Sequence, residues 1–449
     1  MVYGINTQLS RSAYFLFVLL WFFITKDNVL GVAVLFILAI HPWGLFYYRP
    51  DNWIIRFTST VGVNYKVALP VIIFAKYLFQ NSIRPDLVRN NFKKFYKVFI
   101  IYMFFLVAWG FVYGHSVVSV FDFLVNISGF LLFFIIPGAF DREKIFRLNS
   151  LLISFTIIHI LVSIVDIISS GFITRLMIFG REASTAAAWT EEIIRLTGGI
   201  GLALYSLTVS LYYLVSYKNK FNNGLLWLVT GLSLFYIVNS ATRGWMIATF
   251  FVLICYFIFY SRQLMKKKMT LTGIFIIMIL SSSIVFTNKL QENIISAFDR
   301  LATVEAVTEG DFTAEGTAKR WDVRGPRVLT RFNESPVFGF GFSKVTSEYY
   351  DGHVGNHSLL LTGGITGFII VWTTVIAIIF YLFGLEKRKP LLKGVFVFGL
   401  GLIAIMIIHS TSRAMVSFMM PVDVAFIISV MFSNVNAVLS ENSYSLTRF

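Results

Sequence analysis

Residues 357–383 read HSLLLTGGITGFIIVWTTVIAIIFYLF, and this stretch decides the class of the fold. It contains no Asp, Glu, Lys or Arg, and it is longer than the roughly 20 apolar residues that cross the hydrocarbon core of a bilayer as a helix. Its only histidine, His357, stands at its first position. The stretch therefore predicts a membrane-spanning helix that carries a titratable group where the helix meets water.

The chain as a whole has the composition of membrane helices. Of its 449 residues, 57% are hydrophobic and 14% are charged, whereas a soluble domain has about 25% charged residues. The mean hydropathy is +0.75. The aromatic share of 17% suits lipid-facing helices and the aromatic belts at the two membrane surfaces. These values exclude a soluble globular protein and predict an all-α polytopic membrane protein.

About thirteen apolar runs are long enough to be spans, so we expect 12–14 transmembrane helices. The first three are the least regular, since Lys66 interrupts the third. Arg11 precedes the first run without a small-residue cleavage site after it, so we expect insertion through the first spans rather than a cleaved signal peptide. The runs are approximately 12–25, 29–48, 60–79, 97–113, 119–138, 148–172, 199–216, 224–240, 245–260, 270–287, 357–383, 393–409 and 414–432.

The formal net charge of +15 comes largely from basic clusters between the apolar runs. Because short basic loops stay in the cytoplasm, this excess indicates orientation in the membrane, and we expect no nucleic-acid partner. The single cysteine, Cys255, excludes a disulfide within the chain and a cysteine metal site. The cytoplasmic loops are then 84–97, 142–147, 218–220, 262–268 and 387–393, and the outer face receives 173–198, 239–244, 288–356 and Arg413.

This orientation divides the chain into four parts. Residues 1–287 are transmembrane helices with short loops, and 288–356 form one large periplasmic loop. Residues 357–432 are the C-terminal transmembrane helices, and 433–449 are a cytoplasmic tail. The side of the membrane on which the N-terminus lies stays open, because the first spans do not define their parity.

Four arginines in the large loop are spaced by 4, 3 and 4 residues, which places them on one face of a helix. Like charges at this spacing repel, so an anion should compensate them. Lipid phosphate or acidic residues of the same loop are one answer, and a phosphate-bearing substrate is the other, because guanidinium groups match phosphate oxygens. The pair Gly325-Pro326 should start or kink the helix. The arginines are Arg320, Arg324, Arg327 and Arg331, and the acidic residues are Glu305, Glu309, Asp311 and Glu315.

Two histidines, His353 and His357, close the loop at a spacing of four. They could form half of a zinc site, but no third ligand follows and Gly355 disfavours a helix there. A histidine just above the membrane can also serve as a general base, since its ordinary pKa near 6.5 leaves it mostly neutral at pH 7. A structural, hydrogen-bonded histidine is the remaining interpretation.

The order of short motifs along the second half of the chain resembles the O-antigen ligase/polymerase family of bacterial envelope polysaccharide assembly. An outward turn SATRGW at 240–245 comes first, followed by Arg320-Trp321 in the large loop. The turn PVFGFG at 336–341, NHSLLL at 356–361 and GITG at 364–367 come next. The first half resembles the family only as generic membrane spans.

This resemblance implies a glycosyltransferase with a GT-C-like membrane fold that works at the periplasmic face of the bacterial inner membrane. Its donor would be a glycan on undecaprenyl pyrophosphate, with no cofactor and no metal. His357 would be the catalytic base. The pyrophosphate ligands would be Arg243 and Arg320, with Arg324 and Arg327 as further candidates. Candidate glycan contacts are Trp321, Tyr349, Tyr350 and Asn356.

The resemblance leaves the acceptor open. We favour a polymerase that joins lipid-linked repeat units. The alternative is an O-antigen ligase that transfers the glycan to lipid A–core of lipopolysaccharide, and a lipid-linked oligosaccharide flippase or other transporter is a third interpretation. The expected partners are the lipid-linked glycan and the bilayer, with the flippase and chain-length regulator of the same pathway as candidates. The family often reads His-Asn at the catalytic position, whereas here Asn356 precedes His357 and Ser358 follows it.

Overall fold

Twelve of the thirteen expected spans are helices in the computed structural model. The span expected at 270–287 and the outer segment 173–198 lie outside the residues that the structure describes. The described residues are 8–40, 53–56, 62–79, 90–114, 127–168, 199–216, 219–240, 242–266, 295, 323–389 and 392–446.

The helices of the first half lie between Gln8 and Ile168. They are α1 (Gln8–Ile24), α2 (Asn28–Ile40), α3 (Tyr65–Phe79), α4 (Lys93–Gly110), α5 (Leu131–Ala139) and α6 (Arg142–Ile168). A single 3-10 turn, Phe111–Tyr113, extends α4, and another, Ser128–Phe130, precedes α5.

The helices of the second half include two short ones outside the apolar runs, α10 and α11. They are α7 (Ile200–Val215), α8 (Asn223–Asn239), α9 (Arg243–Lys266), α10 (Gly325–Phe332), α11 (Lys344–Tyr349), α12 (Gly355–Arg388), α13 (Phe396–Thr411) and α14 (Val422–Leu446).

Five helices are long and apolar enough to cross a membrane, and six shorter apolar helices accompany them within the described residues. The prediction of an all-α polytopic membrane protein is thereby confirmed. A two-stranded antiparallel hairpin, β1 (Trp53–Arg56) and β2 (Gly62–Asn64), was not expected from the sequence. It is too short to change the class of the fold.

Helices α7 and α14 form the centre of the bundle. Every residue of α7 is buried, and nearly all of Val422–Ser440 in α14 is buried as well. Helix α12, in contrast, leaves large apolar side chains such as Ile369 and Phe380 exposed. A helix that is apolar all round packs inside, and a helix with one exposed apolar face borders lipid. Helices α7 and α14 are therefore interior helices, and one face of α12 is suited to contact lipid.

Buried polar side chains join the central helices to α6. Asn149 of α6 donates to the Asn434 side chain of α14 at 2.7 Å and accepts from the Tyr205 hydroxyl of α7 at 2.6 Å. Further along α6, the hydroxyls of Thr156 and Ser206 lie 2.6 Å apart. Between helices in a membrane, such hydrogen bonds add specificity where apolar packing alone cannot.

Different charged side chains mark the two ends of the helix bundle. At one end, Glu386 of α12 accepts from the Tyr260 hydroxyl of α9 at 2.8 Å and lies 3.8 Å from the Lys393 ammonium. The other end is where α9 begins at Arg243 and α12 begins at Gly355. Arg243 and His357 thus lie at the end opposite to Glu386 and Lys393.

The turn between α1 and α2 lies at the basic end, because Asp27 pairs with Arg147 of α6 at 2.6 Å. Lys76 of α3 is fully buried beside this turn and donates to the Phe22 and Thr25 carbonyls. Helix α1 therefore ends at the same end of the bundle as Arg147.

The last helix differs from the expected run 414–432. It begins at Val422 and continues to Leu446, beyond the expected start of the tail at 433. Residues 412–421 before it are not helical, and within them the backbone N–H groups of Met415 and Val416 donate to Nδ1 of His409, at 3.0 and 3.2 Å.

Candidate active site

Helix α12 is broken near its start. Gly364 has φ 63° and ψ −170°, a conformation that is essentially restricted to glycine. The break separates a first segment, residues 355–363, from the long membrane-spanning remainder. His357 lies in the first turn of that first segment. The expectation that Gly355 disfavours a helix was wrong, because α12 begins at Gly355.

The turn at 336–341 occupies the break in α12. A helix interrupted at Gly364 leaves carbonyls before it and N–H groups after it without helical partners. The turn supplies partners to four of these groups through backbone hydrogen bonds. They run from the N–H of Phe340 to Leu361 (2.9 Å), Gly341 to Thr362 (2.9 Å), Ile365 to Pro336 (2.9 Å) and Thr366 to Val337 (3.1 Å).

Glycine is required where the turn meets the helix. Gly339 has φ 65°, and a Cβ atom there would lie 2.6 Å from the Gly364 nitrogen. Helix α4 closes the other side, where the Trp109 indole donates to the Gly339 carbonyl at 3.0 Å and the Tyr102 hydroxyl donates to the Gly363 carbonyl at 2.6 Å. The turn predicted from the Pro/Gly pattern is therefore a structural clamp on the segment that carries His357.

The first segment of α12 packs on the last turn of α13. A Cβ atom on Gly355 would overlap the His409 carbonyl and lie 2.7 Å from His409 Nδ1, so only glycine permits this approach. The Asn356 amide donates to the Ser410 hydroxyl at 3.2 Å. His357, which is half-buried, lies next to this contact.

Helix α9, whose first residue is Arg243, packs with its first turn on the same end of α13. Gly244, the neighbour of Arg243 in the first turn of α9, packs so closely on Ser412 that a Cβ atom would lie 2.6 Å from the Ser412 Cβ. Helix α13 lies between α9 and α12. The structure therefore places Arg243 and His357 on two helix starts that flank one helix end.

The arginine helix α10 packs beside the first segment of α12. It begins at Gly325 with Pro326 in its first turn, as predicted from the sequence. A small apolar cluster attaches it there, formed by Val328, Phe340, Val354 and Leu361. Arg320 and Trp321 lie outside the described residues.

Three arginines of the stripe have partners in the protein. Arg324 and Arg327 lie 3.6 and 4.0 Å from the carboxylate of Asp351, and Arg331 forms an ion pair with Glu334 at 2.5 Å. Neither acid is among the loop acids considered in the sequence analysis. The four loop acids named there lie outside the described residues.

One comparison with known proteins finds a match for part of the chain. Residues 228–371 match the family model Wzy_C, described as O-antigen ligase. This match covers about a third of the chain and supports an assignment to the O-antigen ligase/polymerase family. No curated protein matches the chain. The matched residues run from α8 into the membrane-spanning part of α12 and include Arg243, the turn at 336–341 and His357.

The O-antigen ligase family consists of membrane enzymes of the glycosyl-transfer type, and His357 lies within the matched residues. Nδ1 of His357 is buried and has no hydrogen-bond partner among the described residues. The Ser358 hydroxyl accepts from the Asp351 N–H at 2.9 Å and donates its only hydrogen to the Asp351 carbonyl at 2.7 Å. Ser358 therefore cannot donate to the imidazole, and Oδ1 of Asn356 is a buried acceptor that also has no partner in the part of the chain that the structure describes.

The two tyrosines expected to contact glycan are engaged differently. Tyr349 lies under the guanidinium of Arg331, whose carbon is 5.0 Å from the ring centre. The Tyr350 side chain hydrogen-bonds Ser417, and burial raises the pKa of its phenol above the ordinary value of 10.0. At neutral pH Tyr350 is therefore an uncharged group that fastens the loop before α12 to the segment after α13.

Sequence reasoning missed two residues at this site, Asp351 and His409. His409 is fully buried and its Nδ1 holds the backbone N–H groups of Met415 and Val416. The available signal was the position of His409 at the end of an apolar run, followed by three hydroxyl residues and Arg413 before the next run. Asp351 had a weaker signal, as one of several acids in a loop rich in arginine and aromatic residues.

Proposed function

We propose that the chain is an inverting, metal-independent glycosyltransferase that polymerises undecaprenyl-pyrophosphate-linked repeat units at the periplasmic face of the inner membrane. The proposal is supported by the arrangement around the start of α12. His357, whose buried Nδ1 has no partner among the described residues, and Arg243 stand at two helix starts that pack against the end of α13. The arginine helix α10 packs on the same segment of α12 through Val328 and Leu361. An imidazole and guanidinium groups are what this transfer requires.

The transfer forms one bond and breaks another. A hydroxyl oxygen of the acceptor sugar attacks the anomeric carbon of the donor, and the bond from that carbon to the diphosphate oxygen breaks. The bonding electrons leave with the undecaprenyl pyrophosphate, and the hydroxyl proton goes to the imidazole of His357. Attack from the face opposite to the leaving group inverts the anomeric configuration.

The departing diphosphate gains negative charge as the bond breaks, and fixed cations lower the energy of that transition state. We assign this role to Arg243 and Arg320, with Arg324 and Arg327 as additional ligands. Guanidinium groups suit it because they bind phosphate oxygens through two parallel N–H donors. Trp321, Tyr349 and Asn356 are candidate contacts of the glycan. In this scheme addition of a chelator leaves the rate unchanged.

The acceptor distinguishes polymerase from ligase, and a direct assay separates them. Purified protein in liposomes is incubated with labelled lipid-linked repeat units, without and with added lipid A–core, and the products are separated by length. We expect a ladder of lengthened lipid-linked glycan without core. Product that forms only with core would instead show the ligase, which the description of the matched family favours. No product in either mixture contradicts both.

Loss of a diphosphate ligand should slow transfer strongly. We expect Arg243→Ala and Arg320→Ala each to lower the rate by about a hundredfold, as for other donors that stabilise a developing anion. Arg243→Lys should recover only part of the loss, since an ammonium lacks the two-pronged donor geometry. Initial rates with labelled lipid-linked donor measure the effect.

A matched control is Arg388→Ala, which removes an exposed arginine from the opposite end of α12. It should leave the rate within about twofold, because surface charges away from the site contribute little. Equal losses from Arg388→Ala and Arg243→Ala would refute the assignment of the diphosphate site.

A further inference from the structure

Asp351 lies between the arginine helix and the helix that carries His357, and its carboxylate is close to two cations. The Arg324 and Arg327 guanidinium nitrogens are 3.6 and 4.0 Å from the two carboxylate oxygens. The Asp351 side chain is 12% exposed, whereas those of Arg324 and Arg327 are 39% and 48% exposed. The carboxylate is therefore the enclosed partner and the guanidinium groups face water.

These distances exceed those of direct hydrogen bonds, which end near 3.2 Å for N–H to O. Asp351 therefore attracts the guanidinium groups of Arg324 and Arg327 electrostatically, but it accepts no direct hydrogen bond from their N–H donors. Two guanidinium charges share one carboxylate, so one positive charge stays uncompensated within this group. Arg331 does not contribute, because it is paired with Glu334.

The position of the carboxylate is set by the first turn of α12. Both backbone groups of Asp351 bond to the Ser358 hydroxyl, at 2.9 and 2.7 Å, and Ser358 is fully buried. One carboxylate oxygen also accepts from the His353 N–H at 2.9 Å. Because Ser358 directly follows His357, Asp351 is tied to the turn that holds the imidazole.

We propose that Asp351 is a positioning residue that sets the guanidinium groups of Arg324 and Arg327 relative to His357. This inference rests on the proposed function, in which those guanidinium groups bind the donor diphosphate. Asp351 draws both arginines towards the start of α12 and leaves their N–H donors for phosphate oxygens. The distance from the two guanidinium groups to the imidazole of His357 is then set by one short segment, from Asp351 to Ser358.

The test is Asp351→Asn, which keeps the size of the side chain and an oxygen that can accept from the His353 N–H. Two properties are measured: the KM and kcat for transfer from lipid-linked repeat units, and the Kd for farnesyl pyrophosphate as a short polyprenyl diphosphate probe. We expect KM and Kd to rise about tenfold and kcat to change less than about threefold, because ground-state anion binding is what the substitution weakens.

A double-mutant cycle shows whether Asp351 acts through the arginines. In a protein that already carries Arg324→Gln and Arg327→Gln, Asp351→Asn should cause no further rise in KM or Kd, since its partners are gone. Glu348→Gln is the matched control. It removes an equal charge from an exposed ion pair with Lys344 in α11, and it should change neither constant.

The outcomes separate the inference from the function on which it rests. Additive effects in the cycle overturn the positioning role, as does tighter probe binding by Asp351→Asn, which would mean that the carboxylate competes with diphosphate. Both results require a wild type that transfers sugar. A wild type that neither transfers nor binds the probe overturns the proposed function and the role of Asp351 together.

Discussion

Replacing His357 by alanine lowers the rate of glycosyl transfer by about a thousandfold while the protein still folds and binds its lipid-linked donor. Positioned general bases contribute roughly two to four orders of magnitude in rate, and Nδ1 of His357 makes no hydrogen bond within the described residues whose loss would destabilise the fold. Initial rates with labelled donor, together with a thermal melt in detergent, measure both parts of this result.

The control for this substitution is His353→Ala. His353 is exposed and lies in the loop before α12 rather than on it, so its replacement should leave the rate within about threefold of wild type. The pair also tests the transporter interpretation. A flippase should keep most of its flux after His357→Ala, so retained flux with no transfer product in the wild type would reject catalysis.

Replacing Gly364 by alanine prevents the protein from folding in good yield. The backbone at Gly364 has a conformation that costs other residues about 1–3 kcal/mol. A Cβ atom there would also overlap the Val337 carbonyl and approach the Gly339 nitrogen to 2.5 Å. Because both neighbours are backbone atoms of the turn that fills the break, neither can move without losing hydrogen bonds. Yield of monodisperse protein on size exclusion measures the loss.

Gly384→Ala is a matched control in the same helix. Its Cβ atom would meet nothing within 4 Å, and alanine favours a helix over glycine by about 0.5–1 kcal/mol. This variant should therefore fold at least as well as the wild type. Equal yields from Gly364→Ala and Gly384→Ala would show that the break in α12 is not needed for folding.

The spans were predictable because length and lack of charge decide whether a helix can cross a bilayer. The same reasoning could not predict the hairpin β1–β2 or the late start of α14. Strand β2 occupies the start of the run expected at 60–79, whose helix begins only at Tyr65, and hydropathy does not distinguish a short strand from the first turn of a span. The segment before α14 is held instead by a tertiary contact, in which Nδ1 of His409 in the preceding helix accepts from the N–H groups of Met415 and Val416.

The candidate site was predictable in its parts but not in its connections. Gly325-Pro326 marked the start of α10. Spacing predicted one helix face for all four arginines, but α10 contains only Arg327 and Arg331; Arg324 precedes it and Arg320 lies outside the described residues. The partner of Arg324 and Arg327 could not be identified, because Asp351 is brought to them by the packing of Phe340 and Leu361 against Val328. Such contacts join separate segments of the chain and depend on the tertiary structure. The spacing of residue types along the sequence does not reveal them.

The clamp between the turn at 336–341 and α12 also sets where this protein can be divided. Residues from α10 to Thr366 share backbone hydrogen bonds and one apolar cluster, so they behave as a single cassette. An exchange of acceptor specificity between related chains should therefore place its junction before Val323 and leave this cassette whole. A junction inside it would pair a turn from one chain with a broken helix from another. The backbone hydrogen bonds that hold the segment carrying His357 would then be disturbed.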